Sequence, residues 1–386
     1  MKYLQNLDTK SWTGTTGDVE WSLQTLKPKV GDMVTHLAEI ILRVRMDITT
    51  GTLGSVGATH IFRWFSNVSV RDRYGNTPVD GLDFYELVSL LALCGKVSII
   101  RTPESIGANA SNAVRYLHVR IPFAIPTLPD GDSYSPVTPL YQGGSIRLRL
   151  GSSSIGTNGT VNSCEITPII RYYVPAKSIK VAPRSEIRAV TVQPYASLPD
   201  GIYLGAGLSL AGSPTLNNIT VGWAGRNIIE SMTPNQIYAA WTADWLDGLP
   251  GFLANDNDTA RAVLPAGSDY ETAAGLPLLP LIWLDSQSED NTATKLCDTR
   301  KSPLSIEVDG PTSIRVLYWK LSELTTGELN NQLSSMQADP ASVIVRKDGL
   351  DGQRLSKEDI ALTPGLRAVP ATLSVINPVN AGVMRK

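Results

Sequence analysis

At 386 residues the chain is too long for one ordinary core and fits two domains of roughly 150 residues plus extensions, enough to bury a large apolar interior without staples. Hydrophobic residues make up 42% and charged residues 18%, so the chain is a folded and weakly charged protein; a net charge of −2 argues against a general nucleic-acid binder, which needs a basic surface to neutralise phosphates. The 32 glycines and 25 prolines among short alternating segments favour an all-β design with many turns.

Residues 1–29 are polar, carry isolated Trp12 and Trp21 without a sustained period, and end on the Lys27-Pro28-Lys29 break. They read as an N-terminal arm rather than core. The amino terminus lacks the apolar segment of a signal peptide, and Lys96 interrupts the best candidate for a membrane span, so folding in a cytoplasm without disulfides is expected. The first strongly patterned segment follows. Leu42, Val44, Met46 and Ile48 alternate with Arg43, Arg45 and Asp47, and Phe62, Trp64, Val68 and Val70 repeat that period until Tyr74-Gly75-Asn76 breaks it. Two strands are expected, each with one face to bury. The period then changes: Asp83 and Glu86 have capping-box spacing, and Phe84, Leu87, Val88 and Leu91 form the apolar stripe of a helix.

Further strands are expected at Val114 to Ile121, Ile146 to Leu150 and Ile166 to Val174, separated by Gly-, Pro-, Ser- and Asn-rich loops at residues 126–139 and 151–162. Past a connector at residues 175–183 the order begins again. Ile202 to Leu210 and Ile219 to Ile229 are strand-like, and Thr233-Pro234-Asn235-Gln236 is a second capping box with proline at the first helical position. Ile237, Ala240, Trp241 and Trp245 continue it as a helix. A loop containing residues 255–258 precedes strands at Leu278 to Leu284, Leu304 to Val308 and Ile314 to Leu321. From about Leu324 the strand signal gives way to a short helix at Leu329, Leu333 and Met336, a strand at Val343 to Arg346 and a proline-punctuated tail, the composition of a segment that contacts a partner.

Chemistry-bearing constellations are sparse. His36, His60 and His118 lie near strands without an acidic or Cys partner at ligand spacing, which favours structural roles. Cys94, Cys164 and Cys297 are far apart and flanked by apolar segments, as expected of buried, reduced thiols. No Gly-x-Ser-x-Gly elbow or phosphate-binding loop occurs, and Gly205-Ala206-Gly207 lacks the third glycine of a dinucleotide fingerprint, with Leu210 in its place; it suits a flexible or closely packed strand. Asp130-Gly131-Asp132 and Asp256-Asn257-Asp258 do not continue to a calcium-loop glutamate and read as solvated tips, and the sequons at Asn67, Asn109, Asn158, Asn218 and Asn257 as composition. No catalytic, cofactor or metal site is expected. Trp64, Trp241, Trp245, Trp283 and Trp319 fall within apolar periodicities, leaving Trp12, Trp21 and Trp223 as contact residues.

Both halves run through strands, a capped helix, a loop, an apolar strand, an alternating strand and an aromatic strand. Compare Ile170-Arg171-Tyr172-Tyr173-Val174 with Ile314-Arg315-Val316-Leu317-Tyr318-Trp319. With the strand Ile40 to Ile48, the segment Ile61 to Asp72 and the helix Gly81 to Leu93, this order resembles the double jelly-roll major capsid proteins of tailless icosahedral viruses with internal membranes, over residues 30 to 325. The resemblance implies an all-β fold of two consecutive eight-stranded jelly-roll β-sandwiches, each with an inserted helix, plus extended terminal arms. It divides the chain into an arm (1–29), a first jelly roll (30–182), a second (183–324) and a C-terminal extension (325–386). It further implies a non-enzymatic structural subunit, without cofactors, in the capsid of a prokaryotic virus. Homotrimers would form pseudo-hexagonal capsomers touching neighbouring capsomers, penton or minor capsid proteins and an internal membrane, with Trp12 and Trp21 as inter-subunit arm contacts. The alternative is a carbohydrate-binding or glycan-cleaving β-sandwich protein, such as a receptor-binding spike component, whose two carboxylates would face a cleft.

Overall fold

The computed structural model describes residues 2–27, 29–30, 33–94, 99–101, 105–123, 141–173, 184–209, 215–223, 225–237, 240, 278–282, 297–300 and 302–322. In the first half, β1 (Lys2–Asn6), β2 (Lys10–Ser11), β3 (Gly17–Ser22), β4 (Lys29–Val30), β5 (Met33–Val34) and β6 (His36–Ser55) lead into α1 (Ala58–Trp64). Then come β7 (Phe65–Arg71), β8 (Val79–Leu82), α2 (Phe84–Leu93), β9 (Ile99–Arg101), β10 (Ala113–Pro122), β11 (Ser145–Leu150), β12 (Ser154–Ile155) and β13 (Thr157–Tyr173). The second half contains β14 (Arg184–Val192), β15 (Tyr195–Ser197), β16 (Ile202–Ser209), β17 (Ile219–Trp223), β18 (Arg226–Met232), β19 (Leu278–Ile282), β20 (Cys297–Asp298), β21 (Ser305–Val308) and β22 (Ile314–Ser322). Residues 234–237 are helical, following β18 as α2 follows β8.

Three sheets build two sandwiches. One sheet runs β1-β13-β6-β10-β9, a central sheet runs β19-β16-β22-β14-β8-β7-β11-β3, and a third runs β15-β21-β17-β18. The first sandwich packs β13, β6 and β10 over β8, β7, β11 and β3, with Val44, Met46, Val68, Val70, Leu148 and Ile166 among its buried residues. The second packs β16, β22 and β14 over the third sheet, around Val221, Ile306, Val316 and Tyr318. The halves repeat each other strand for strand. The order β10-β6-β13-β1 matches β19-β16-β22-β14, and β8-β7-β11-β3 matches β18-β17-β21-β15, eight strands in each.

Joining the halves is a parallel pair within the central sheet, with Ile187 opposite Val79 and Arg188 opposite Asp80. On one side of this seam α2 lies against the second-half strands, so Ile202, Leu204, Leu317, Trp319 and Leu321 belong to the same apolar cluster as Leu87, Leu90 and Leu91. A helix with apolar residues all round is one covered on all sides, and α2 is buried along both. All eight residues of β16 are buried for the same reason, since α2 covers one face and the third sheet the other.

Three expectations are corrected. Residues 1–29 are not an arm: β1 extends the sheet of β13, β3 pairs with β11 through Trp21 opposite Ile146, and Leu23 and Leu26 are buried. The first jelly roll therefore begins at the N-terminal strand and not at residue 30. Ile61, Phe62 and Trp64 are not in a strand; they belong to α1, which packs on α2 before the chain extends as β7. Ile219 to Ile229 is a hairpin, β17 to β18, turning at Gly225 with φ of 74°. The loops at 126–139 and 255–258, Trp241, Trp245, Trp283, the Cys297 side chain and the extension 325–386 lie outside the described residues.

Candidate assembly surface

The internal seam shows what holds one sandwich to the next. Asp83 caps α2: its Oδ1 accepts from the Glu86 backbone N–H at 2.7 Å, while Glu86 Oε2 accepts from the Asp83 N–H at 3.3 Å. Buried Glu86 also accepts from Arg315 of β22 through Nε and Nη2, both at 2.9 Å, and from Ser209 Oγ of β16 at 3.1 Å. Arg315 Nη2 donates further to the Gly81 carbonyl. One carboxylate thus starts a first-half helix and anchors two second-half strands. Burial, followed by the charge of Glu86, pushes Asp83 up to about 6. At the other end of α2 there is no spare room. A Cβ on Gly205 would lie 2.4 Å from Cys94 Sγ and 2.9 Å from Leu93 Cδ2, so of the two readings of Gly205-Ala206-Gly207 the closely packed strand is the one found.

Surface chemistry divides between faces and edges. On the outer face of β6, β10 and β13, Glu39 is buried between Arg120 and Arg171. Arg45 pairs with Asp47 at 3.2 Å. The outer face of β3, β11 and β7 carries a hollow of about 350 Å³ lined by Asp18, Glu20, Asp80, Arg71, Arg147 and Arg149, in which Arg147 pairs with Asp18. Acids and bases there are equal in number, which suits a polar, register-setting contact. Exposed aliphatic side chains occur on two of the edge strands. Leu4 on β1 is 65% exposed, and Ile228 and Met232 on β18 are 47% and 36% exposed.

Among the described residues no three His, Cys, Asp or Glu side chains gather as a metal site. His60 stands exposed on α1, its Nδ1 accepting from the Gly57 N–H at 3.0 Å, and His118 is half-buried on β10. Cys94 and Cys164 are buried thiols outside any disulfide, and desolvation pushes the Cys164 thiol well above its ordinary value.

No protein family matches the sequence, and no curated protein is similar to it. Solved structures do match. The major capsid protein of Sulfolobus turreted icosahedral virus superposes with a TM-score of 0.53 at 10% identity, covering 83% of this chain and 97% of that one. The fold is a double jelly roll. The major capsid protein P2 of bacteriophage PM2 gives a TM-score of 0.44 at 8% identity over 84% of this chain and 99% of that one. The Faustovirus major capsid protein gives 0.42 at 9% over 83% and 90%.

Within the double jelly roll the tryptophans take definite places. Trp64 and Trp319 are core residues as expected, Trp64 from helix α1 rather than from the alternating strand. Trp21 is buried too, with Nε1 donating to the Asp8 carbonyl at 2.7 Å. Trp12 packs edge-on to Trp64, ring centroids 5.5 Å apart, and Trp223 is half-buried against the second core. The structure therefore uses Trp12 and Trp21 to close the first jelly roll on itself and leaves the edge residues Leu4, Ile228 and Met232 facing outward. Sequence reasoning overlooked those three because a single exposed aliphatic has no periodic signature. The Val19-Trp21-Leu23 alternation was the available sign that the N-terminal segment is a core strand.

Proposed function

We propose that this chain is a major capsid subunit: a non-enzymatic structural protein of the virion that forms trimers, each a pseudo-hexagonal tile of an icosahedral shell. The observation that carries the reading is the strand-for-strand duplication, two eight-stranded sandwiches joined through one sheet, in a fold shared with a known major capsid protein. A shell subunit needs rigid boxes, shape complementarity and polar rims more than reactive groups. The ion-paired outer faces and buried thiols fit that need. Partners on this reading are further copies of the chain first, then penton or minor capsid proteins and an internal membrane.

Mass photometry and sedimentation of the purified chain test the reading. Trimers at three times the 41.6 kDa chain mass are expected, with shells visible by electron microscopy as concentration rises. A strict monomer at micromolar concentration, at every salt, overturns it.

A further inference from the structure

Four segments of the first jelly roll meet at one end of the sandwich. Thr50 and Ser55 of β6 lie opposite Gly159 and Thr157 of β13, Val56 bridges to Ile106, and the Asn109 N–H donates to the Gly51 carbonyl at 3.0 Å. Trp12, before β3, donates its backbone N–H to the Cys164 carbonyl at 2.8 Å and packs on Trp64, whose Nε1 donates to the Ser152 carbonyl at 2.7 Å. The residues so gathered, 11–17, 48–62, 105–114 and 150–164, contain no Asp, Glu, Lys or Arg, although 18% of the chain is charged. Charge resumes at the flanking positions Asp18, Asp47, Arg63, Arg115, Arg149 and Glu165. A soluble surface is ordinarily about a quarter to a third charged, so an entire uncharged end needs a reason.

This end is also rigid. Thr50 Oγ1 donates to the Gly107 carbonyl at 2.6 Å and accepts from the Ala110 N–H at 3.0 Å, while Asn162 Nδ2 donates to Thr49 Oγ1 at 2.8 Å and to Asn112 Oδ1 at 2.7 Å. Asn109, Asn112 and Asn158 hold φ of 58°, 49° and 48°, three of the four non-glycine residues with positive φ among those described, and such positions gather where ligands are met. Gly54 admits no side chain: a Cβ would lie 2.8 Å from Gly51 N and 2.9 Å from Thr50 Cβ, which fixes the turn that presents Leu53 at 82% exposure. Around this scaffold Asn109, Thr157 and Asn158 are exposed, and their side chains make no hydrogen bond to other described residues. Each amide offers two donors and an acceptor, and each hydroxyl both kinds of partner. Trp12, half-buried with its Nε1 satisfied by the Thr15 carbonyl at 2.7 Å, adds an aromatic ring. Amides and hydroxyls beside an aromatic ring and an aliphatic knob match a polyol, with hydroxyls on its rim and C–H groups on its face. With no cation or anion of their own, they give nothing to a phosphate, sulfate or carboxylate.

We propose that this end of the first jelly roll binds a neutral oligosaccharide, with Asn109 and Asn158 meeting its hydroxyls and Trp12 and Leu53 supporting its apolar faces. The site lies at the strand ends, apart from the sheet edges and outer faces, and goes beyond the shell-subunit reading. A single copy binds weakly through so few contacts, and display of many copies multiplies the effect.

The test couples the full chain through its lysines to fluorescent beads, which present many copies whether or not shells form; the four segments hold no lysine and stay clear. The beads are passed over neutral, sialylated and sulfated oligosaccharides and over phosphatidylcholine vesicles. Retention on neutral glycans is expected, equal in about 0.15 and 1 M salt because no ion pair is there to be screened. Asn109→Asp with Asn158→Asp keeps residues that tolerate positive φ and removes the amide donors, and should lower retention about tenfold or more. Leu53→Ser, at a fully solvated turn, should lower it as well, and Tyr195→Ser, exposed on β15, should leave it unchanged. Thermal melts matching wild type show that the variants are folded. Retention only on the acidic glycans, retention on the vesicles instead, retention untouched by the Asn and Leu53 variants, or none at all overturns the proposal. Since no assembly step enters, each of these leaves the shell reading standing.

Discussion

Glu86 and Arg315 meet through two hydrogen bonds of 2.9 Å although 229 residues of chain separate them, and the carboxylate is buried where they touch. The same carboxylate closes the capping box of α2 and takes a hydrogen bond from Ser209. A local helix-start signal in the first half is therefore also the tertiary clamp on the second. Helix formation and docking of the jelly rolls become one event.

Glu86→Ala should accordingly cost more than a lost cap. It removes one leg of the capping box and takes the Glu86 acceptor away from Ser209 Oγ and from a half-buried guanidinium that retains its bond to the Gly81 carbonyl, which together amount to about 2–4 kcal/mol. Urea denaturation checks this by a lowered midpoint. Arg315→Met, which keeps bulk but leaves the Glu86 charge buried, should be similarly damaging, and the double variant should cost less than the two singles summed. An unchanged midpoint for Glu86→Ala would show that the clamp carries no stability.

Asp83 sets a pH dependence of known sign. Its folded value of about 6 lies above the ordinary carboxyl value of 3.8, so the folded protein binds the proton more tightly than the unfolded chain. The stability linked to this group is fully present below pH 4 and is lost as pH rises through 6. Asp83→Asn keeps a capping side chain and removes the titration. The variant should match wild type near pH 4 and exceed it by about 3 kcal/mol at pH 7. Unfolding free energies at the two pH values give the comparison; equal differences at both would refute the assignment.

Gly205→Ala tests the packing of α2 on β16. The new methyl would meet Cys94 Sγ and Leu93 Cδ2 well inside contact distance, so a loss of about 1–3 kcal/mol is expected. Cys94→Ala on the same chain should return part of it, because the two side chains compete for one space. Thermal melts of the single and double variants decide; strictly additive losses would mean that the strain is relieved elsewhere.

How far the sequence could be read depended on whether each signal was local. The α2 start was legible because Asp83 and Glu86 act over three residues, and both legs of the box are present in the fold. Helix α1 was not: Phe62, Trp64, Val68 and Val70 keep an even spacing through a helix of seven residues into a strand, and so short a helix shows hardly two turns of its own period. The two-sandwich order was visible, while the seam was not, since nothing in Val79 or Ile187 announces a parallel pair across more than 100 residues. Of the assembly surface, the sequence pointed to tryptophans, by size. The fold spends Trp21 in the core and exposes Leu4, Ile228 and Met232 instead.

Removal of residues 1–26 separates an arm from a structural strand. An arm could be deleted with the jelly rolls intact, but here the cut takes β1 from the edge of β13, β3 from β11, and Trp21, Leu23 and Leu26 from the first core. Each large buried side chain removed from a core typically costs about 2–5 kcal/mol, against a total stability of order 5–15 kcal/mol for a domain. The truncated chain should lose the cooperative unfolding transition of the first jelly roll and bind hydrophobic dye. Trp21→Ala alone should lower the melting temperature and remain folded, since it opens one cavity without freeing two sheet edges. A truncated chain that melted as cooperatively as the whole would show that Trp21 and its strand are dispensable to the fold.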